Sequence, residues 1–265
     1  MITLCAIASG SNGNCYYIGN HHDAILIDAG ISARQTIARM KQRQLDPLRV
    51  KAVFISHEHS DHASGAYAIG KRLKIPVYLT SGTYQAMFVH HRPLSPRFFK
   101  PGNNITIGSF NIFPFLKQHD AAEPCSFRIE HGGLHIGVFT DIGSVNEGVM
   151  QHFRECHAIF LETNYDEQML WNGRYPYLLK QRIASDHGHL SNDQAFELLK
   201  NHSGSHLRKI FLSHLSAENN TPEIALKRFS ELADRFSFHL TSRYGTSEVI
   251  HLGDHIEQGT LNFDD

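Results

Sequence analysis

Residues 56–62, Ser-His-Glu-His-Ser-Asp-His, constrain this chain more than any other stretch. They follow the apolar run "VKAVFI", which reads as a buried strand, so three imidazoles and a carboxylate gather where a strand ends. In extended backbone His57 and His59 project to the same side and offer two nitrogens to one ion. Asp61 and His62 follow where "DHASGAYAIGKRL" turns helical. Being adjacent, they aim away from the first pair and suit a second ion. A polar loop whose histidines only hydrogen-bond is the plainer alternative, but four potential ligands this close together favour metal. The spacing is not the HExxH of helical zinc proteases, because the fourth position after His57 is Asp61.

Composition supports a metal reading. The chain carries 20 histidines against 4 cysteines, and imidazole is the usual nitrogen ligand for transition metals. Cys5, Cys15, Cys125 and Cys156 form no CxxC pair, so they read as reduced, buried thiols of a cytosolic protein. The start "MITLCAIASGSNGN" has no basic leader, and nothing reaches the ~20 apolar residues that span a bilayer, so a cytoplasmic protein away from membranes is expected. A net charge of -1 leaves no global basic field, and contact with a polyanion must come from a local groove.

Short apolar runs recur as "ITLCAIA", "CYYIG", "AILIDAG", "VKAVFIS", "PVYLT", "SFNIFPFL", "CSFRIEHG", "LHIGVFTD", "HAIFLET", "KIFLSHLS" and "EVIHLG", and each reads as a strand. Helical periodicity predicts helices near 32–43, 62–73, 144–154, 191–202 and 222–235, the last capped by Thr221 with Pro222 at its first position. Strands outnumber helices, many are too closely spaced for parallel crossovers, and no linker divides the chain. The expectation is one α+β domain over residues 1–265, two packed sheets with helices outside.

A catalytic site needs ligands from elsewhere in the chain. His119, Asp141 and His214 each close an apolar run, in "NIFPFLKQHD", "LHIGVFTDIG" and "KIFLSHLS". An Asp in "ILIDAG", then "SHEHSDH", then single His, Asp and His residues at strand ends resembles the ordered signature of the metallo-β-lactamase superfamily. The resemblance implies a four-layer αββα sandwich with mixed sheets and outer helices, its site at one edge between the sheets. It also implies that His57, His59 and His119 hold one ion, that Asp61, His62 and His214 hold the other, and that Asp141 bridges them. Asp28 would brace the loop from behind. Two such ions activate a shared hydroxide and clamp the attacked group, with Asp61 also orienting the hydroxide. Asp28, Asp120 and Glu162 are the candidates for holding the imidazoles in the correct tautomer. Imidazole and carboxylate donors suit Zn²⁺ or Mn²⁺, and Fe²⁺ as well.

The ligand set alone does not choose a substrate. True β-lactamases of this fold place a Cys at the second metal, and no cysteine here stands at such a position. In "SDHGHLSNDQAFELLKNH", Ser191 and Gln194 make a capping box, so a helix starts there with His189 just outside it. Amides, dipole, hydroxyl and imidazole then converge as a phosphate site, although by local features alone an ordinary helix cap beside an exposed histidine fits the pattern better. "GHLSN" resembles the histidine element with which nucleases of this superfamily hold the scissile phosphate.

The segments "ASGSNGNCYYI", "LETNYDEQML", "GRYPYLLKQRI", "SDHGHLSN" and "LSHLSAENNTPE" resemble the YycJ/WalJ group within that superfamily. This implies a 5′ to 3′ exonuclease acting on DNA with a free end, preferring single strands. Asp61 and His189 would be catalytic, and His189, Ser191 and Asn192 would contact substrate. Oligomeric state is not legible. "WNGRYPYLLKQR" interleaves Trp171, Tyr175 and Tyr177 with Arg174, Lys180 and Arg182, which suits either base stacking or a loop packed by its own aromatics. Ser9–Asn14 is either a phosphate-binding turn or a tight connection between strands. Two other classes remain open: a hydrolase of a small thioester, lactone or cyclic phosphodiester on the same metals, and a non-catalytic module stabilised by metal.

Overall fold

The computed structural model describes residues 1–253; the expected domain over 1–265 extends past them. Strands β1 (Ile2–Ala8), β2 (Cys15–Gly19), β3 (Ala24–Ile27), β4 (Val50–Phe54), β5 (Val77–Leu79) and β6 (Pro96–Phe98) form most of the first sheet. Strands β7 (Ile105–Ile107), β8 (Phe110–Leu116), β9 (Cys125–His131), β10 (Leu134–Phe139), β11 (Ala158–Glu162), β12 (Lys209–Ser213) and β13 (Ser237–Leu240) form the second. The chain then returns to the first sheet, where β14 (Ile250–Leu252) pairs antiparallel with β1.

Alternation along single strands explains the layers. On β1, Ile2, Leu4 and Ala6 face the second sheet, while Cys5 and Ile7 face outward onto helices. On β11, Ala158 and Phe160 point inward, and Ile159 and Leu161 point out. Both faces of the central strands are therefore buried, which is why they read as unbroken apolar runs. Helices α1 (Ala33–Gln42), α2 (Ser60–Ala63), α3 (Ala66–Leu73) and α4 (Ser81–Ala86) belong to the first half of the chain. Helices α5 (Glu147–Arg154), α6 (Glu167–Asn172), α7 (Tyr177–Ile183), α8 (Asn192–His202) and α9 (Pro222–Phe229) belong to the second. Residues of α1 and α3 pack on the outside of the first sheet, and residues of α5, α8 and α9 on the outside of the second. The result is the expected four-layer αββα sandwich of mixed sheets.

The differences from the sequence reading are local. The helix expected over 62–73 is broken after Ala63, because Gly65 packs against the carbonyls of Ile31 and Ala29, leaving no room for a Cβ. The helix expected over 222–235 ends at Phe229 and tightens into a 3₁₀ turn over Ser230–Leu232. Strands β6, β7 and β13 are short and partly exposed, so they lacked a long apolar run. Among the described residues, no helix is long and apolar enough to cross a membrane.

Strand direction positions the site. β3 and β4 are parallel, and β10, β11 and β12 are parallel; β9 lies antiparallel between β8 and β10, so β8 runs with the others. Their C-terminal ends therefore gather on one side of the sandwich. Asp28, His57, His119, Asp141, Glu162 and His214 all stand at or just past such ends. The two sheets are tied there by the Cys125 amide, which donates to the Ser56 carbonyl at 2.9 Å.

Candidate metal centre

The ligand nitrogens and oxygens converge in four overlapping sets. His57, His59 and His119 form one and Asp61, His62 and His214 another, His57, His62 and Asp141 link these two, and Asp141, Glu162, His189 and His214 make the fourth. His57 Nε2 and His59 Nδ1 are 3.1 Å apart, two nitrogens aimed at one point. Asp141 lies between the sets, with Oδ2 3.2 Å from His62 Nε2 and Oδ1 3.9 Å from His119 Nε2. All the sequence-predicted metal residues thus meet in one place.

Each imidazole is aimed from behind. His62 Nδ1 lies 2.7 Å from Asp28 Oδ2, His57 Nδ1 lies 2.9 Å from the Ser56 hydroxyl, and His214 Nδ1 lies 2.9 Å from Glu162 Oε1. His119 Nδ1 donates to the Gly188 carbonyl at 3.0 Å. With Nδ1 engaged, Nε2 is left for a cation. Buried and without any hydrogen bond are His119 Nε2, His214 Nε2 and Asp141 Oδ2. Orphaned donors and acceptors in the interior are costly, and here all three belong to the converging groups, so the donor set fits divalent ions.

Backbone conformation contributes as well. Asp28, Asp141 and His214 all adopt positive φ, at 63°, 56° and 58°. Left-handed backbone at a non-glycine residue costs about 1 kcal/mol or more and is retained where the surroundings hold it. Asp28 is held by its amide donating to the Phe54 carbonyl and its carboxylate accepting from Ser56; the His214 amide donates to Ser9 Oγ at 2.8 Å.

The charges are unevenly distributed. Burial lowers His57, reinforced by His62 and Lys117, and lowers His119 to about 3. Burial also opposes a charge on His214 and His62, but the facing carboxylates win. Asp141, Asp61 and Glu162 raise His214 to about 10, and Asp141, Asp28 and Asp61 raise His62. The same contacts overcome the burial of Asp141 and Asp61 and hold both carboxyls below the usual range; His189 and His214 hold Glu162 at about 2. The carboxylates thus favour positive charge at His62 and His214, the same demand that a bound cation would meet.

Several functional neighbours were not expected. Asn14 Nδ2 approaches His62 Nε2 at 3.0 Å and Asp61 Oδ2 at 3.3 Å, while its amide donates to the Asp61 carbonyl at 2.7 Å. The turn Ser9–Asn14 therefore braces the ligand loop; the amides of Gly10, Gly13 and Asn14 bond within the protein rather than to a phosphate. Lys117 is buried, donates to the Thr140 carbonyl at 2.7 Å, and places its ammonium 4.0 Å from Asp141.

Asp120 was expected to hold an imidazole from behind. Gly188 does that for His119 instead, and Asp120 Oδ1 lies 3.4 Å from the ligand-facing Nε2 while Oδ2 accepts from Arg182.

His189 is a member of the site. Its Nδ1 lies 2.9 Å from Glu162 Oε1, and its ring is 5.3 Å from those of His119 and His214. Ser191 and Asn192 require a correction. The Ser191 hydroxyl caps α8 by accepting from the Gln194 amide, the Asn192 side chain pairs with Asn220, and both residues are buried. The Asn192 amide donates to the Tyr165 carbonyl, so this helix start is occupied from within.

The centre is open on one side: the His59, Asp61 and His189 side chains are 31%, 24% and 22% exposed.

A family model described as the metallo-beta-lactamase superfamily matches residues 8–152. Exodeoxyribonuclease YycJ of Bacillus anthracis is 34% identical over 235 residues, covering 88% of this chain and 89% of that protein. Exodeoxyribonuclease WalJ of Streptococcus pneumoniae serotype 2 is 33% identical over 224 residues, covering 83% of each. Among solved structures, the metallo-beta-lactamase fold protein YhfI from Bacillus subtilis matches with a TM-score of 0.70 at 17% identity, covering 95% of this chain and 100% of that one. At that identity the likeness speaks for the fold alone.

Proposed function

The chain belongs to the metallo-β-lactamase superfamily, in its YycJ/WalJ-type group, and from that premise we propose that it is a 5′ to 3′ exonuclease on DNA, preferring single strands. It is a metal-dependent hydrolase. The observation that carries the nuclease reading is His189, poised on Glu162 beside the ligand cluster at its exposed side.

His57, His59 and His119 would hold one divalent ion and Asp61, His62 and His214 a second, with Asp141 shared between the two; Zn²⁺ or Mn²⁺ suits these donors, and Fe²⁺ also fits. When bound, such ions supply Lewis-acid activation of water and neutralise a phosphodiester's charge. Asp61, whose side chain is 24% exposed, would orient the attacking water. Glu162 accepts the Nδ1 proton of His189 and fixes the ring, so that Nε2 faces the scissile phosphate and delivers a proton to the leaving oxygen. Lys117 steadies Asp141 from beneath. The buried free thiols Cys5, Cys15, Cys125 and Cys156 support a cytoplasmic setting.

The test is degradation of end-labelled single-stranded DNA with added Mn²⁺ or Zn²⁺, by wild type and by Asp61→Ala. Stepwise shortening from the 5′ end by wild type alone is expected, faster than on duplex. If both proteins leave DNA intact over a range of metals, the reading fails. Turnover of thioesters or lactones in the same preparation would then move the assignment to a small-molecule hydrolase.

A further inference from the structure

Helices α6 and α7 form a corner beside the metal centre, and its construction leaves two aromatic rings in solvent. Asp166 caps α6 by accepting from the Met169 amide at 2.9 Å. Buried Lys180 turns back to donate to the carbonyls of Trp171 at 2.7 Å and Gly173 at 2.8 Å, satisfying the end of α6 and tying α7 to it. The far end of α7 is fastened to the site. The Ile183 carbonyl accepts from the His189 amide at 2.9 Å, and Arg182 Nε donates to Asp120 Oδ2 at 2.6 Å. Lys180 and Arg182 are therefore structural cations, not free ones.

The outer side of the corner is a different matter. Trp171 is 42% exposed, Tyr177 65% and Leu178 79%, and the Trp171 and Tyr177 ring centroids lie 6.3 Å apart at 46°. Exposed Arg174 stands between them in the chain. Burial of these rings contributes little to holding the corner, since backbone caps and Lys180 do that. Exposed aromatics with an exposed arginine between them in the chain, on a helix pair fastened to the site, match the way single strands are held without sequence preference: bases stack on rings and phosphates meet cations.

Resting on the nuclease reading above, we propose that Trp171 and Tyr177 form a stacking platform for bases of a single-stranded substrate flanking the cleaved phosphate, with Arg174 on its backbone. A duplex keeps its bases paired and cannot use the rings, so the platform gives single strands their advantage.

Trp171 is the only tryptophan of the chain, so its emission reports on this corner alone. The metal-loaded wild-type protein is titrated with a phosphorothioate oligothymidylate that resists cleavage. Saturable quenching is expected. In steady state, Trp171→Ala and Tyr177→Ala each raise KM for single-stranded DNA about tenfold, with kcat changed less than about twofold, and Trp171→Phe restores most of the loss. The proposal is overturned if emission does not change at concentrations that saturate hydrolysis, if KM is the same for Trp171→Ala and wild type, or if emission changes only on self-association without DNA. Should wild type cleave DNA while emission stays constant, only the platform falls. Should it cleave no nucleic acid, the nuclease reading falls with it.

Discussion

His189 Nδ1 lies 2.9 Å from Glu162 Oε1, and the same oxygen lies 2.9 Å from His214 Nδ1. One carboxylate oxygen thus aims both a proposed ligand and the proposed proton donor, while Oε2 accepts from the amides of Ile142 at 2.7 Å and Leu190 at 3.2 Å. A glutamine cannot replace it, because its NH₂ would face either the imidazole donors or the amide donors. Glu162→Gln is expected to lose metal and rate together. His189→Ala is expected to keep its metal and lower kcat by about 10² to 10⁴. Metal analysis beside steady-state kinetics separates them, and full metal content in Glu162→Gln would contradict this role.

Removal of metal has a thermal consequence. The buried carboxylates Asp28, Asp141 and Glu162 and the partly exposed Asp61 surround the centre, and ions that bind only the folded chain stabilise it by mass action. At one hundred times the dissociation constant this amounts to about 2.7 kcal/mol, or roughly 5–10 °C in Tm for a chain of this size. Calorimetry before and after chelation, with Zn²⁺ or Mn²⁺ restored, checks the figure. Identical melting curves would show that these residues hold no ion.

The strand-end ligands were legible because chemistry and position coincide: apolar runs locate His119, Asp141 and His214 at strand ends, and parallel pairing brings those ends together. The bracing groups were not. Asn14 reaches the ligand loop only through tertiary packing, Gly188 acts through a backbone carbonyl that has no sequence signal, and Lys117 carries a charge that ordinarily marks the surface. Ser191 shows the opposite failure. The capping box was read correctly, but a cap that satisfies its own amides leaves nothing to bind a phosphate.

Gly30 tests how tightly the ligand loop is clamped. A Cβ there would lie 1.6 Å from the Asp61 carbonyl oxygen and 2.6 Å from the Asn14 nitrogen, both backbone atoms that cannot swing aside. Gly30→Ala is expected to destabilise the fold by about 1–3 kcal/mol and, because Asp61 must move, to weaken metal binding as well. Urea denaturation and metal titration measure the two effects. Wild-type affinity in a destabilised Gly30→Ala protein would mean that the loop position is set elsewhere.

A separate histidine cluster governs stability in mild acid. Burial, reinforced by Arg128, lowers His152 to about 4, and burial with His206 and His135 lowers His157 to about 4; Glu155 opposes the shift at His152. The folded chain keeps both rings neutral, and His157 Nδ1 uses that state to accept from the His135 amide at 3.1 Å. The unfolded chain takes up protons near pH 6.5. Between about pH 6.5 and 4 it therefore binds more protons than the folded chain, and stability falls as pH drops through that window. Asn at both positions preserves an acceptor near Nδ1 but removes the titration. The metal-free double variant His152→Asn, His157→Asn is expected to lose less stability than metal-free wild type between pH 6.5 and 4, read as the urea midpoint at each pH. Parallel pH profiles for the two proteins would show that these histidines do not set the acid response.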